Sequence, residues 1–156
     1  MTTIGEPAPH CTFYDQDGSS VTVADFRGSW VVLWWYPEAN TPGCSRQASS
    51  IEASLDAITR DGTVVLGASF DPAEKNDSFA CDKGLRYRLL SDPTREAGAA
   101  YGVDRTGEEE SSDRAARHTF VIDPRGTLAF REDATSLDLA RYGEHVLEVL
   151  RDLKDG

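Results

Sequence analysis

The 156-residue sequence is short of cysteine, of lysine and of long apolar runs, and each shortage removes a class of function. No stretch approaches the roughly 20 apolar residues that cross a bilayer, so no membrane partner is expected. Cys11, Cys44 and Cys81 are the only cysteines, and an odd number cannot all pair within one chain, which points to a reducing compartment. None forms a Cys-x-x-Cys pair, and His10, His118 and His145 are widely separated, so neither a zinc site nor any other cofactor is expected. Lysine is confined to Lys75, Lys83 and Lys154, and the net charge of −11 repels phosphate backbones. Nucleic acid is therefore not an expected partner. The opening Met1-Thr2-Thr3-Ile4-Gly5-Glu6-Pro7 has neither a basic start nor an apolar stretch, so no secretory signal is expected and the expected location is cytoplasmic.

What is present fits a soluble α/β domain over residues 1–156, with 39% hydrophobic and 28% charged residues. Residues 12–15 and 21–23 flank Asp17-Gly18 and predict an N-terminal hairpin. The unbroken run Val31-Val32-Leu33-Trp34-Trp35-Tyr36 predicts a strand buried on both faces, and residues 63–69 predict another. Asp71 is the expected N-cap and Pro72 the expected first residue of a helix reaching about Lys83. Leu89-Leu90 is a short strand candidate, followed by a helix over 93–101 closed by Gly102. The acidic stretch Glu108-Glu109-Glu110 with Asp113 reads as a solvated loop. Residues 117–122 and 127–131 predict a second hairpin about Asp123-Pro124-Arg125-Gly126. A last helix is expected over 136–153, with Leu139, Val146, Leu150 and Leu153 on one face.

The chemistry concentrates in Pro37-Glu38-Ala39-Asn40-Thr41-Pro42-Gly43-Cys44. Ala48, Ile51, Leu55 and Ile58 downstream form one helical stripe, so Cys44 falls near the helix N-terminus, where unpaired N–H groups and the macrodipole favour an anion. A free thiol of pKa about 8.5 drops to about 3.5–7.5 at such ends beside a cation. A shift of about 2.5 units requires roughly 3.4 kcal/mol. A helix end supplies at most about 2 kcal/mol, so a reactive cysteine here calls for a cationic side chain from elsewhere in the chain.

Several further motifs occur in order. They are Gly5-x-Pro7-Ala8-Pro9, Asp17-Gly18, Tyr36-Pro37, Thr41-Pro42-Gly43-Cys44, Leu89-Leu90-Ser91-Asp92, Ala100-Tyr101-Gly102-Val103 and Arg117-x-Thr119-Phe120-Val121-Ile122-Asp123-x-x-Gly126. With them the chain resembles the peroxiredoxins, and within these the peroxiredoxin Q or bacterioferritin-comigratory-protein group. The resemblance implies a thioredoxin-like fold, a central mixed sheet flanked by helices. It also implies reduction of hydrogen peroxide or alkyl hydroperoxides through a cysteine sulfenic acid, with recycling by a thioredoxin-like or low-molecular-weight thiol. On this pattern Cys44 is the peroxidatic nucleophile and Arg117 the missing cation. Thr41 orients the thiolate and peroxide, Pro37 shields the thiolate, and the backbone N–H groups of Gly43 and Cys44 face the peroxide oxygens. Strand alternation points His118 away from the face of Arg117, against a Cys-His hydrolase. The group's members imply a monomer or weak dimer.

The chain departs from the pattern at position 49, where Ser49 replaces the resolving cysteine that many members carry five residues beyond the nucleophile. Cys81, in the following helix, becomes the possible resolving thiol, while Cys11 takes a core position. If neither resolves, an external thiol must. Tyr87-Arg88 and the acidic loop also differ from relatives, and the added negative charge is expected to disfavour anionic hydroperoxides. A peroxide-sensing switch or interaction protein without efficient turnover is the alternative that Ser49 keeps open. A disulfide reductase lacks its paired thiols.

Overall fold

The computed structural model describes residues 2–105 and 113–156, so the acidic stretch Glu108-Glu109-Glu110 lies outside the described residues. Among the described residues seven strands form one sheet: β1 (Phe13–Tyr14), β2 (Ser20–Val21), β3 (Val31–Trp35), β4 (Val64–Ser69), β5 (Arg88–Ser91), β6 (His118–Ile122) and β7 (Leu128–Asp133). Their spatial order is β2-β1-β5-β4-β3-β6-β7. The three central strands β5, β4 and β3 run parallel, whereas β6 pairs antiparallel with β3 in a register that sets Trp35 opposite His118. The helices are α1 (Pro42–Thr59), α2 (Ala73–Lys83), α3 (Glu96–Tyr101) and α4 (Tyr142–Asp155).

Every residue of β3 is buried, as its unbroken apolar run predicts. Alternation divides it between two cores. Val32 and Trp34 pack with the stripe Ala48, Ile51, Leu55 and Ile58 of α1, with Phe79 of α2 and with Val146 and Leu150 of α4. Val31, Leu33 and Trp35 face the other way, onto Phe13, Ala97, Tyr101 and Phe120. The sheet is thus covered by helices on both faces. No helix among the described residues is long and apolar enough to cross a membrane.

Three helix starts differ from the sequence expectation. Pro72 rather than Asp71 is the N-cap of α2. The Asp71 carboxylate instead accepts from the Ala39 N–H at 2.8 Å and from the Ser69 hydroxyl at 2.9 Å, so it ties the 37–41 loop to the end of β4. The short helix α3 starts at Glu96, because the Asp92 carboxylate accepts from the N–H groups of Ala97 and Gly98 and the chain reaches it through Arg95 in a left-handed conformation. The last helix starts at Tyr142, not near Ser136. Asp138 caps a separate 3₁₀ turn at Leu139–Arg141, so Leu139 does not share the apolar face of α4.

Candidate active site

The site is built where β3 ends and α1 begins. The chain leaves β3 through Tyr36, whose N–H donates to the Ala68 carbonyl and whose phenol donates to Asn76 Oδ1 at 2.6 Å. Asn40 then adopts φ +65°, a left-handed conformation that asparagine tolerates better than most residues, and turns the loop into the helix. Pro42 occupies the first helical position, where its missing N–H costs nothing. Cys44 therefore sits in the first turn of α1, completely buried among Trp34, Tyr36 and Tyr142.

The first turn of α1 keeps its donors open. Thr41 is the N-cap residue, but it makes no side-chain cap; its hydroxyl donates to the Glu38 carbonyl at 2.7 Å. The first intrahelical bond runs from the Ser45 N–H to the Thr41 carbonyl, so the N–H groups of Gly43 and Cys44 precede it. Two backbone donors beside a thiol form an anion-binding end.

A cationic side chain lies beside the thiol. Arg117 precedes β6, and alternation along that strand directs it toward the α1 core together with Val121. Its Nη1 lies 3.5 Å from Cys44 Sγ and donates to Gln47 Oε1 at 2.6 Å. Its Nη2 would stand 3.2 Å from a Cβ placed on Gly43, so the glycine admits the guanidinium to the helix end.

Gln47 is fully buried one turn beyond Cys44 and was not among the residues singled out from the sequence. Its place at i+3 from Cys44, beside Ala48 of the apolar stripe, is the signal that puts it on the same face. His118 behaves as alternation predicts: it stacks on Phe120 at 4.8 Å, on the opposite face of β6 from Cys44. Burial, then the nearby Arg131, push its imidazole below the usual range. Burial likewise raises the phenols of Tyr36 and Tyr142, so neither adds negative charge beside the sulfur.

Around the loop, Glu38 is held by Lys75 at 2.6 Å and by Arg114 at 2.8 Å, and the Lys75 hydrogen bond keeps its carboxyl below the usual range. Pro37, half-buried, borders a cavity of about 300 Å³ with Glu38, Phe70, Asp71, Pro72, Asp113 and Arg114. Cys81 is exposed on α2, Cys11 is half-buried against the second core, and Ser49 is exposed on α1. The structure thus brings Gly43, Cys44 and Arg117 together, sets Thr41 at the N-cap of the same helix and Pro37 against the neighbouring cavity, and leaves Cys81 exposed on α2.

Residues 4–131 match the AhpC/TSA family. Peroxiredoxin Bcp of Escherichia coli K12 is 36% identical over 126 residues, covering 80% of this chain and 81% of its own length. A crystal structure of PrxQ from Xylella fastidiosa superposes with a TM-score of 0.88 at 25% identity, over 97% of both chains. Peroxidoxin BcpB from Mycobacterium tuberculosis gives 0.87 at 27% identity, over 97% of this chain and 98% of that one. With the thiol at a helix end and the thioredoxin-like sheet behind it, the chain belongs to the AhpC/TSA family as a peroxiredoxin of the Q and Bcp group, a thiol-dependent peroxidase.

Proposed function

We propose that Cys44 is the peroxidatic nucleophile and that the chain reduces hydrogen peroxide and organic hydroperoxides through a sulfenic acid. The observation that carries this reading is the Arg117 guanidinium 3.5 Å from a buried thiol, at a helix end whose first N–H groups are uncapped. The thiolate attacks the hydroxyl oxygen of ROOH; an S–O bond forms, the O–O bond breaks, and the alkoxide leaves with the peroxide proton as alcohol or water. Sulfur is oxidised to the sulfenate, which takes up a proton to become the sulfenic acid, and the peroxide is reduced. Charge moves from sulfur to oxygen, so Arg117 and the N–H groups of Gly43 and Cys44 act as preorganised stabilisers. The Thr41 hydroxyl donates its hydrogen bond to the Glu38 carbonyl, which leaves its lone pairs to accept from the peroxide. Pro37 walls the thiolate from water.

Recycling requires a second thiol, which attacks the sulfenic sulfur, releases water and forms a disulfide. Cys81 is the internal candidate. A disulfide needs Cα atoms within about 7 Å. Cys44 is buried and Cys81 exposed, so bridging them calls for local unwinding of α1, of α2 or of both. The first turn of α2 is clamped by Lys75 to Glu38 and by Asn76 to Tyr36, whereas beyond Asn76 only Phe79 and Ala80 are buried. Unwinding confined to the second half of α2 frees Cys81 while leaving the Lys75 and Asn76 anchors in place, and it exposes Phe79 and Ala80. The disulfide is then reduced by a thioredoxin-like dithiol or a low-molecular-weight thiol.

Mass spectrometry after one equivalent of hydrogen peroxide tests this chemistry. Either a Cys44–Cys81 linkage or one added oxygen on Cys44 with the other thiols free is the expected product; the first assigns resolution to Cys81 and the second to an external thiol. An unmodified Cys44 after peroxide is consumed would sink the proposal. Gly43→Ala provides a finer check, because its Cβ at 3.2 Å from Arg117 Nη2 forces the guanidinium aside by a few tenths of an ångström. A drop of about tenfold in kcat/KM for hydrogen peroxide is expected, with little change in Tm.

A further inference from the structure

The segment between β7 and α4 forms a strap across the start of α1. At one end the Ala134 N–H donates to the carbonyl of Arg117 at 3.0 Å. At the other, the Ser50 hydroxyl of α1 donates to the Ala140 carbonyl at 3.1 Å and accepts from the Gly143 N–H at 2.8 Å. Gly143 is required there, since a Cβ would meet the Ser50 carbonyl oxygen at 2.2 Å. The strap is therefore anchored beside Arg117 and again two turns along α1.

Between these anchors lies Leu139, half-buried. Its Cδ1 stands 3.5 Å from a Cβ position on Gly43, and Arg117 Nη2 stands 3.2 Å from the same point. The guanidinium and the leucine methyl thus border one small volume at the mouth of the helix end. A separate cavity beside Pro37 is of mixed character, lined by Glu38, Asp71, Asp113 and Arg114 together with Phe70 and Pro72. A hydroperoxide is itself two-sided, with a polar O–O–H head and, in organic peroxides, an apolar substituent. With the head on Arg117 and the N–H groups of Gly43 and Cys44, the substituent has the Leu139 methyl directly beside it.

We propose that Leu139 is a specificity-determining residue, the apolar wall that receives the substituent of neutral alkyl and aryl hydroperoxides. This rests on the assignment of Cys44 as nucleophile and adds the substrate class. A pocket that loses a few methylenes loses roughly 10–200-fold in discrimination. The readout is the ratio of kcat/KM for cumene hydroperoxide to that for hydrogen peroxide, which has no substituent to place.

Leu139→Ala is expected to lower this ratio about tenfold, Leu139→Val by a few-fold in the same direction, and Leu139→Met to restore it to within about twofold of wild type. The Val variant keeps the test open if the Ala variant does not fold. An unchanged ratio in the Ala and Val variants, with both substrates affected in proportion or not at all, overturns the role of Leu139. Hydrogen peroxide turnover that survives Cys44→Ser would instead overturn the nucleophile assignment, so the two failures are distinguishable.

Discussion

Cys44→Ser is expected to lower peroxide consumption by at least about 10³-fold while leaving the fold intact. A serine hydroxyl is too weak an acid to furnish an anion beside Arg117, and oxygen lacks the nucleophilicity of a thiolate toward the O–O bond. The variant keeps the guanidinium, the Thr41 hydroxyl and the open N–H groups of Gly43 and Cys44, so it isolates the sulfur from its surroundings. Because Cys44 is fully buried, the serine must find a hydrogen-bond partner, and Arg117 Nη1 stands close enough to offer one. A stability change of no more than about 1–2 kcal/mol is therefore expected. Stopped-flow peroxide consumption with a dithiol reductant, alongside a denaturant midpoint, measures both. Consumption at the wild-type rate would remove Cys44 from the reaction.

Much of this site was legible in local pattern, because its central parts are adjacent in the chain. An apolar strand followed by Thr-Pro-Gly-Cys and an apolar helical stripe places Cys44 without any tertiary information. The need for a cation followed from magnitudes, and the family pattern supplied Arg117. What stayed hidden depends on contacts distant in sequence. Asp71 has the local signature of a helix cap, yet its carboxylate is drawn to the N–H of Ala39, thirty-two residues away. Gln47 resembles a polar residue on a helix surface until α4 and β6 cover that turn.

Residues 136–141 show the same limit. Helical spacing of Leu139 with Val146 and Leu150 suggests one continuous helix, but the Ser50 anchor and the Asp138 cap break it at Tyr142. That break turns Leu139 from a core position of α4 into a neighbour of Gly43. The order of the strands is likewise a property of pairing, not periodicity: β1 joins the sheet through β5, seventy-seven residues from Tyr14 to Ser91. Local pattern thus located the helix-end thiol, and tertiary packing decided what surrounds it.

Arg117→Ala is expected to reduce kcat/KM for hydrogen peroxide by about 10²–10³-fold, the loss typical of removing one preorganised donor from a developing oxyanion. Arg117→Lys separates charge from shape. A lysine keeps the positive charge, but its ammonium cannot reach Cys44, Gln47 and the Gly43 side of the helix end with a planar fork. A loss of about 10–100-fold is expected, intermediate between wild type and alanine. Gln47 completes the argument, since its neutral amide oxygen holds Nη1 without neutralising the guanidinium, leaving the full charge for the sulfur. Gln47→Leu is expected to cost about tenfold in wild type and much less in Arg117→Ala, because Gln47 acts only through the arginine. Steady-state kinetics on the four proteins of that cycle decide the point: additive losses would mean that Gln47 has a separate role, and a full-rate Arg117→Ala enzyme would mean that the thiolate does not depend on this cation.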